Sequence, residues 1–499
     1  MVTRLAAADA LALYTQTATT PAHTVALVIL EASDHLSHRR LHDLVASTVP
    51  SLARFRGRLV GKPFGVGQPI WADVDDYDPT PSIHSATAAA PGGDRELADL
   101  VVQLSAGPQD WRRSLWEAWS IDGLAGGRWA LAVKMSPVLG DGDDSTASVW
   151  ERLLTSGPHD PAGNLPAEAG LGPAPSLSGI VTDTVSEIVE NQILGAWLAA
   201  EAVRGVLQSV RSRLRGPGEL PEELPVAPSM SGPVPRTVFN APLTKRRSMA
   251  FASIRLADVQ AVSNAFGGST ANVFLAACTL SLRAWLQRYD VVPDNPLLLQ
   301  VPLSRPTGDA AQKGKALTIG DVRVPVQLDD PVQVLTNLYT ATEKLTTAYS
   351  LGDENFGSAV DLARIASLLA PSVVRAGIQI YTGLGLARSR APRCQGMVAF
   401  ASGKPGPTYC AGARVVGMHT AAPLMQGCGL TITVTSHADV MDLCVCACPD
   451  NVPEVNDIAT GIAESVGVLL AAAAKSPRGR GRSVVSEMTS HATRHPRGH

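Results

Sequence analysis

The sequence predicts a mixed α/β protein of two domains, and three observations carry that prediction. The chain has 499 residues, 45% hydrophobic and 17% charged, more than one compact core organises. Apolar β-branched runs alternate with stretches of helical period instead of following one another as in an all-β chain. Near the middle, two stretches rich in small residues and proline, Thr155 to Leu177 and Gly216 to Pro235, bracket a segment of helical periodicity, Ile180 to Arg215. The expected division is a first domain over 1–178, a helical connector and Pro-rich linker over 179–235, a second domain over 236–475, and a disordered basic tail over 476–499.

Ala6 to Leu13 reads as a short opening helix, and Thr24 to Leu30 (TVALVIL) as a central strand, continuous and β-branched. Arg39 to Val49 is an amphipathic helix. Ile70 to Val74 runs into the acidic turn Asp75-Asp76-Tyr77-Asp78-Pro79, and Asp94 to Leu104 is helical again. From Ser114 to Gly142 the pattern is strand, turn, strand and a sharp loop. Leu115, Trp116, Ala118, Trp119 and Ile121 alternate with polar positions, Asp122-Gly123 and Gly126-Gly127 break the run, and Trp129 to Val133 resumes it. The second strand delivers the chain into Met135-Ser136-Pro137-Val138-Leu139-Gly140-Asp141-Gly142-Asp143-Asp144. Proline offers no ladder donor there, two glycines permit tight geometry, and loops at strand ends are where sites are built. Ala147 to Leu154 follows as a helix.

The second half opens with strand Met249 to Ile254 and helix Leu256 to Phe266, stopped by Gly267-Gly268. Ser269 or Thr270 caps the helix Ala271 to Arg288. Strand-like Pro296 to Pro302 and Thr318 to Val326 precede the helix Pro331 to Ala348 and helices around Phe356 to Ala370 and Val373 to Leu386. Strands Arg414 to Met418, Leu430 to Thr435 and Met441 to Cys448 lead to a last helix, Ile458 to Ala474.

A net charge of -3 and no dense basic face argue against a nucleic-acid partner. The N-terminus lacks a cleavable leader pattern, and no run of about 18 uninterrupted apolar residues occurs, so a cytoplasmic protein without a membrane span is expected. All seven cysteines lie in the second half. Cys444-Val445-Cys446-Ala447-Cys448 puts three thiols on one face of a strand, which suits buried small residues and not the turn-borne spacing of zinc ligands, so no metal is expected.

Several segments, in order over most of residues 1–475, resemble the bacterial wax ester synthase/diacylglycerol acyltransferase family. Ser114-Leu115-Trp116 is similar to its P-L-W segment, Asp122-Gly123-Leu124-Ala125-Gly126-Gly127-Arg128 to its E-G-L-x-G-G-R turn, and Asp141-Gly142 to the end of its H-H-x-x-x-D-G motif. Ala271-Asn272-Val273-Phe274-Leu275-Ala276 resembles N-D-V-x-L-A, and Ser402-Gly403-Lys404-Pro405-Gly406-Pro407 resembles S-N-V-P-G-P. The resemblance implies two chloramphenicol-acetyltransferase-like domains, each a mixed sheet with helices, and transfer of a fatty acyl group from acyl-CoA to diacylglycerol or a long-chain alcohol. Acyl-CoA is then a substrate and no cofactor is implied. It also implies substrate contacts at Asn272, Ser402 and Gly406, a structural Asp141 that pairs with an arginine, and peripheral contact with the inner membrane or lipid droplets. Arg305 is the candidate partner of Asp141, with Arg128 second.

The motif departs from the family at its chemical centre. Its two histidines fall on Ser136 and Pro137, and the second is the family's general base. An imidazole suits that task because its pKa lies near the working pH. Proline has no basic atom, and a serine without a neighbouring base does not replace one. His23, His159 and His419 are alternative imidazoles, each readable as a surface or packing residue. Three readings stay open: an O-acyltransferase, a catalytically impaired relative that binds lipid or acyl-CoA, and a condensation-like scaffold with another acyl donor.

Overall fold

The computed structural model describes residues 3–5, 9–10, 13, 16–62, 68–107, 114–140, 145–163, 165–176, 178–184, 186, 233–303, 318–350, 392–404 and 406–475. The first half carries β1 (Thr3–Arg4), β2 (Thr24–Leu30), α1 (His38–Thr48), β3 (Gly57–Val60), β4 (Ile70–Asp73), β5 (Ile83–Thr87), α2 (Asp94–Leu104), β6 (Trp116–Asp122), β7 (Trp129–Met135), α3 (Ser145–Leu153) and β8 (Leu154–Thr155). The second half carries β9 (Ser248–Arg255), α4 (Leu256–Phe266), α5 (Thr270–Tyr289), β10 (Leu297–Leu303), β11 (Thr318–Val324), α6 (Pro331–Ser350), β12 (Gly396–Ser402), β13 (Tyr409–Cys410), β14 (Ala413–Ala421), β15 (Leu430–His437), β16 (Val440–Ala447) and α7 (Val455–Lys475).

Two mixed sheets organise these elements. One has seven strands in the order β5-β6-β7-β2-β14-β13-β8, the other six in the order β11-β10-β12-β15-β16-β9, and β1-β4-β3 form a small third sheet. The sheets do not divide as the chain does. β14, from the second half, pairs antiparallel with β2 in the first sheet, so β14 and β13 from far along the chain stand between β2 and the edge strand β8.

Alternation along β2 and β7 builds two apolar layers at once. Ala26, Val28, Leu131 and Val133 face a core shared with α1, while Val25, Leu27, Ala130 and Ala132 face the second sheet. That second layer is the interface between the sheets, and Met249, Cys444, Cys446 and Cys448 close it from the other side. A third core lies between the six-stranded sheet and α4–α7. α7 is long and apolar enough to cross a membrane, yet Ile458, Ile462, Val466 and Leu469 are buried in that core.

Several expectations need correction. Thr155 to Leu177 has the composition of a free linker but is clamped to the first domain: the Glu168 carboxylate accepts from Ala53 N–H, Arg56 donates to Glu168 C=O, and Leu171 packs on the core. β1, β3, β5, β8, β12 and β13 have no counterpart in the sequence reading. β5 is an edge strand with mainly exposed residues, so it shows no apolar alternation. β12 opens with Gly396, where a Cβ would meet Leu430 C=O at 2.8 Å, so its first position carries no side chain to extend an apolar pattern. Only residues 178–184 and 186 of the helical connector's first part are described, and they are helical. The rest of that helix, the helices around Phe356 to Ala370 and Val373 to Leu386, and the tail 476–499 lie outside the described residues.

Candidate functional site

The site is built where β7 ends. Ser136 continues β7 in extended geometry, and its N–H donates to Leu115 C=O at 2.9 Å, next to Trp116 at the start of β6. Pro137 then turns the chain into a single 3-10 turn, Pro137–Leu139, burying Val138 and Leu139. Arg54 braces the turn by donating to Val138 C=O at 3.3 Å and Gly140 C=O at 2.9 Å, while its guanidinium lies 5.7 Å from the Trp71 ring centre. Nothing in the sequence singled out Arg54, because its partners, the Val138 and Gly140 carbonyls, the Trp71 ring and Asp9 at 3.9 Å, are brought near only by the fold.

Thr24 of β2 pairs with Met135 of β7, so His23 and Ser136 are the residues immediately outside the last pair of that ladder. Alternation places both on the interface face, beside Val25 and Lys134. Ser136 is 3% exposed and His23 8%. The His23 Nδ1 is buried with no hydrogen-bond partner, and the Ser105 backbone at the end of α2 lies near enough to the ring to favour its protonated form. Burial first, and then the positive charges of Lys134 and Arg247, push His23 down to about 3 against the Ser105 contribution, so the imidazole is neutral. Lys134 is itself paired with Glu117 at 3.3 Å.

The second sheet reaches this corner through Arg247, which donates to Thr19 C=O and lies near Cys446 and Cys448. Gln426 donates to Thr19 Oγ1 at 3.2 Å. The turn that leads into His23 is therefore tied to the opposite half of the molecule. Further along the interface, Met418 N–H of β14 donates to Asp442 Oδ2 at 2.7 Å, and His419 Nδ1 meets Leu443 C=O at 3.1 Å. His419 is fully enclosed, its ring 4.5 Å from that of Phe251, and burial lowers its pKa. His159 instead lines an open surface pocket of about 330 Å³ with Arg40 and Asp160.

The residues singled out by resemblance are dispersed. Ser136 and Pro137 lie at the end of β7 as described. Asp141, Gly142 and Arg305 lie outside the described residues. Arg128 donates to Ala125 C=O and pairs with Asp94 at 3.8 Å. Asn272, in the first turn of α5, accepts from Thr342 of α6 at 2.9 Å and is held by that helix. Ser402 pairs with Ser436 at the end of β12, level with the Asp442 end of β16, whereas His23 and Arg247 stand toward Cys446 and Cys448. Gly406 adopts a positive φ of 88°, which glycine alone takes without strain.

Comparison with known proteins gives a consistent result. The sequence profile of the wax ester synthase/diacylglycerol acyltransferase catalytic domain matches residues 5–274, and that of the WS/DGAT C-terminal domain matches 319–469. A Mycobacterium tuberculosis (strain CDC 1551 / Oshkosh) protein named provisionally as a diacylglycerol O-acyltransferase is 27% identical over 490 residues, covering 95% of this chain and 92% of its own. Among solved structures, the wax ester synthase/diacylglycerol acyltransferase from Marinobacter aquaeolei VT8 superposes with a TM-score of 0.64 at 21% identity, over 94% of this chain and all of that one. The first condensation domain of the calcium-dependent antibiotic synthetase superposes with a TM-score of 0.53 at 14% identity, over 95% and 97% of the two chains. The two-sheet architecture is thus the one shared by acyltransferases and condensation domains.

Proposed function

This chain belongs to the wax ester synthase/diacylglycerol acyltransferase family, and from that premise we propose that it transfers a fatty acyl group from acyl-CoA to diacylglycerol or a long-chain alcohol, forming triacylglycerol or wax ester. The observation that carries the reading is the β7 end itself: a buried, braced turn, preceded by Ser136 on the face toward the second sheet and flanked across the ladder by the neutral imidazole of His23. Desolvation there strengthens any hydrogen bond to a reacting carbonyl or hydroxyl, and two lobes can hold two substrates in register. On this reading the protein works in the cytoplasm at the inner-membrane or lipid-droplet surface, where its lipid substrates reside.

One observation favours a second reading. Pro137 stands where the family's base belongs, so a chain that binds lipid or acyl-CoA without turnover fits the same fold. Purified protein given radiolabelled palmitoyl-CoA and diacylglycerol, beside a Pro137→His variant, separates the two. Labelled triacylglycerol from the wild type is the expected result. A wild type at blank level, with product from Pro137→His alone, overturns the enzymatic reading in favour of the binding one.

A further inference from the structure

We propose that Nδ1 of His23 accepts the proton of the acyl-accepting hydroxyl, the role that Pro137 leaves unfilled. The inference rests on the acyltransferase reading above. Four observations carry it: His23 flanks the ladder pair next to Ser136, it faces the interface between the sheets, it is more than nine-tenths buried, and its Nδ1 has no partner. An unpaired buried acceptor costs on the order of 1–3 kcal/mol, so its retention calls for a ligand that completes it. A hydroxyl is the matching donor.

The step balances within the two substrates. The hydroxyl oxygen bonds to the thioester carbonyl carbon as its proton passes to Nδ1; the C–S bond then breaks, and the imidazolium returns the proton to the departing CoA thiolate. Burial, and after it Lys134 and Arg247, disfavour an imidazolium at rest, which keeps the ring unprotonated. During reaction the tetrahedral oxyanion supplies the opposing charge, and Glu117 already offsets Lys134 at 3.3 Å.

Full-length wild type, His23→Asn, Pro137→His and the double variant are assayed with labelled palmitoyl-CoA and diacylglycerol. His23→Asn is expected to lose about 10²–10⁴ in kcat, the usual worth of a general base, with KM for palmitoyl-CoA little changed. The double variant, with an imidazole restored at position 137, is expected to recover most of that loss, which a merely unfolded His23→Asn does not allow. Should His23→Asn melt too low to assay, the wild-type pH profile decides: kcat flat from pH 8 to 5 supports a base held at about 3, and an acid limb near 6.5 overturns it. His23→Asn within about tenfold of wild type overturns the assignment while the acyltransferase reading stands. An inactive double variant beside an active Pro137→His also overturns it. A wild type without product removes both.

A different observation carries a second inference: Cys394 and Cys428 form a disulfide on exposure to an oxidant. β12 and β15 run parallel from the pair Gly396 and Leu430, and the two cysteines lie two residues upstream of it, one on each of the segments that lead into the strands. Asn240 Nδ2 donates to Cys394 C=O at 2.7 Å and Gly427 C=O at 2.8 Å, so one side chain holds both segments. Each thiol is close enough to shift the other's pKa. Neighbouring strands lie about 4.8 Å apart, inside the roughly 4.4–6.8 Å that a disulfide spans between Cα atoms. The neighbouring Cys428 thiol lowers the pKa of Cys394 against the effect of burial, so Cys394 is the thiol proposed to attack. Cys394 displaces one thiolate from a low-molecular-weight disulfide; Cys428 then attacks Cys394 of the mixed disulfide and releases the second, so two protein thiols are oxidised and one small disulfide is reduced.

Folded full-length protein is incubated with oxidised glutathione, alkylated and digested without reduction. A peptide joining Cys394 to Cys428, absent in Cys394→Ser and Cys428→Ser but kept in Cys410→Ser, is the expected result, together with a higher melting temperature. Complete alkylation of both cysteines, or a stable mixed disulfide at Cys394 alone, overturns it.

Discussion

Replacement of Asp442 by alanine is expected to destabilise the protein by about 3–5 kcal/mol, because it leaves buried polar partners without their shared acceptor. Asp442 is 1% exposed. Its Oδ2 accepts from His437 Nε2 at 2.6 Å and from Met418 N–H at 2.7 Å, and its Oδ1 from Ser253 Oγ at 2.5 Å. Three of the groups belong to the six-stranded sheet, but Met418 belongs to β14 of the seven-stranded sheet, so one carboxylate pins the two sheets together. Burial alone would raise the Asp442 pKa; the His437 hydrogen bond, the charge of His419 and the Ser253 and Met418 bonds outweigh it and hold the carboxyl below its usual range.

The sign of the pH dependence follows. A depressed folded pKa means that the carboxylate stabilises the fold above its unfolded value near ~3.9, and that the contribution is lost as pH falls through the folded value. Urea unfolding of wild type and Asp442→Ala between pH 7 and pH 3 should show the gap at its widest at neutral pH and narrowing below about 4. Asp442→Asn keeps the shape and an acceptor for Met418, and is expected to lose about half as much as alanine on the same scale. An alanine variant within about 1 kcal/mol of wild type would sink the pinning role.

Which features the sequence revealed depends on how local their causes are. α2 and α4 occupy the ranges their periodicity predicts, because the apolar stripe of each lies within the segment and, for α4, Gly267-Gly268 stops it directly afterwards. The thiols of Cys444, Cys446 and Cys448 could be read as buried from period two alone, and they are buried. The placement of β14 in the first sheet was not legible, since nothing in Ala413–Ala421 records that its partner is β2, almost four hundred residues earlier. The same applies to the site. Motif spacing located Ser136 and Pro137, but the proximity of His23 exists only in the register of β2 against β7, and the brace from Arg54 only in the path of the turn.

Trp116→Ala should cost about 3–5 kcal/mol and should also damage the site, and the two effects can be separated. The indole is 1% exposed, packs 6.1 Å from Phe55 ring to ring, and donates through Nε1 to Phe55 C=O at 2.8 Å and Tyr77 Oη at 3.1 Å. Trp116 pairs with Met135 across the β6–β7 ladder, and its neighbour Leu115 offers the carbonyl that holds Ser136 N–H. Losing the indole removes the packing that fixes this strand start, so the β7 turn shifts with it. A displacement of about 1 Å at reacting groups is enough to cost about 10²-fold in rate. Trp116→Phe retains most of the volume but strands the Phe55 carbonyl, for about 1–3 kcal/mol. Denaturant melts should therefore rank wild type, Trp116→Phe and Trp116→Ala in that order. Palmitoyl transfer assayed well below each melting temperature should still be lower in the alanine variant, because the turn is misplaced in molecules that remain folded. Equal specific activity of the folded fractions would show that Trp116 supports the fold alone and that the β7 turn is held by Arg54 and its own hydrogen bonds.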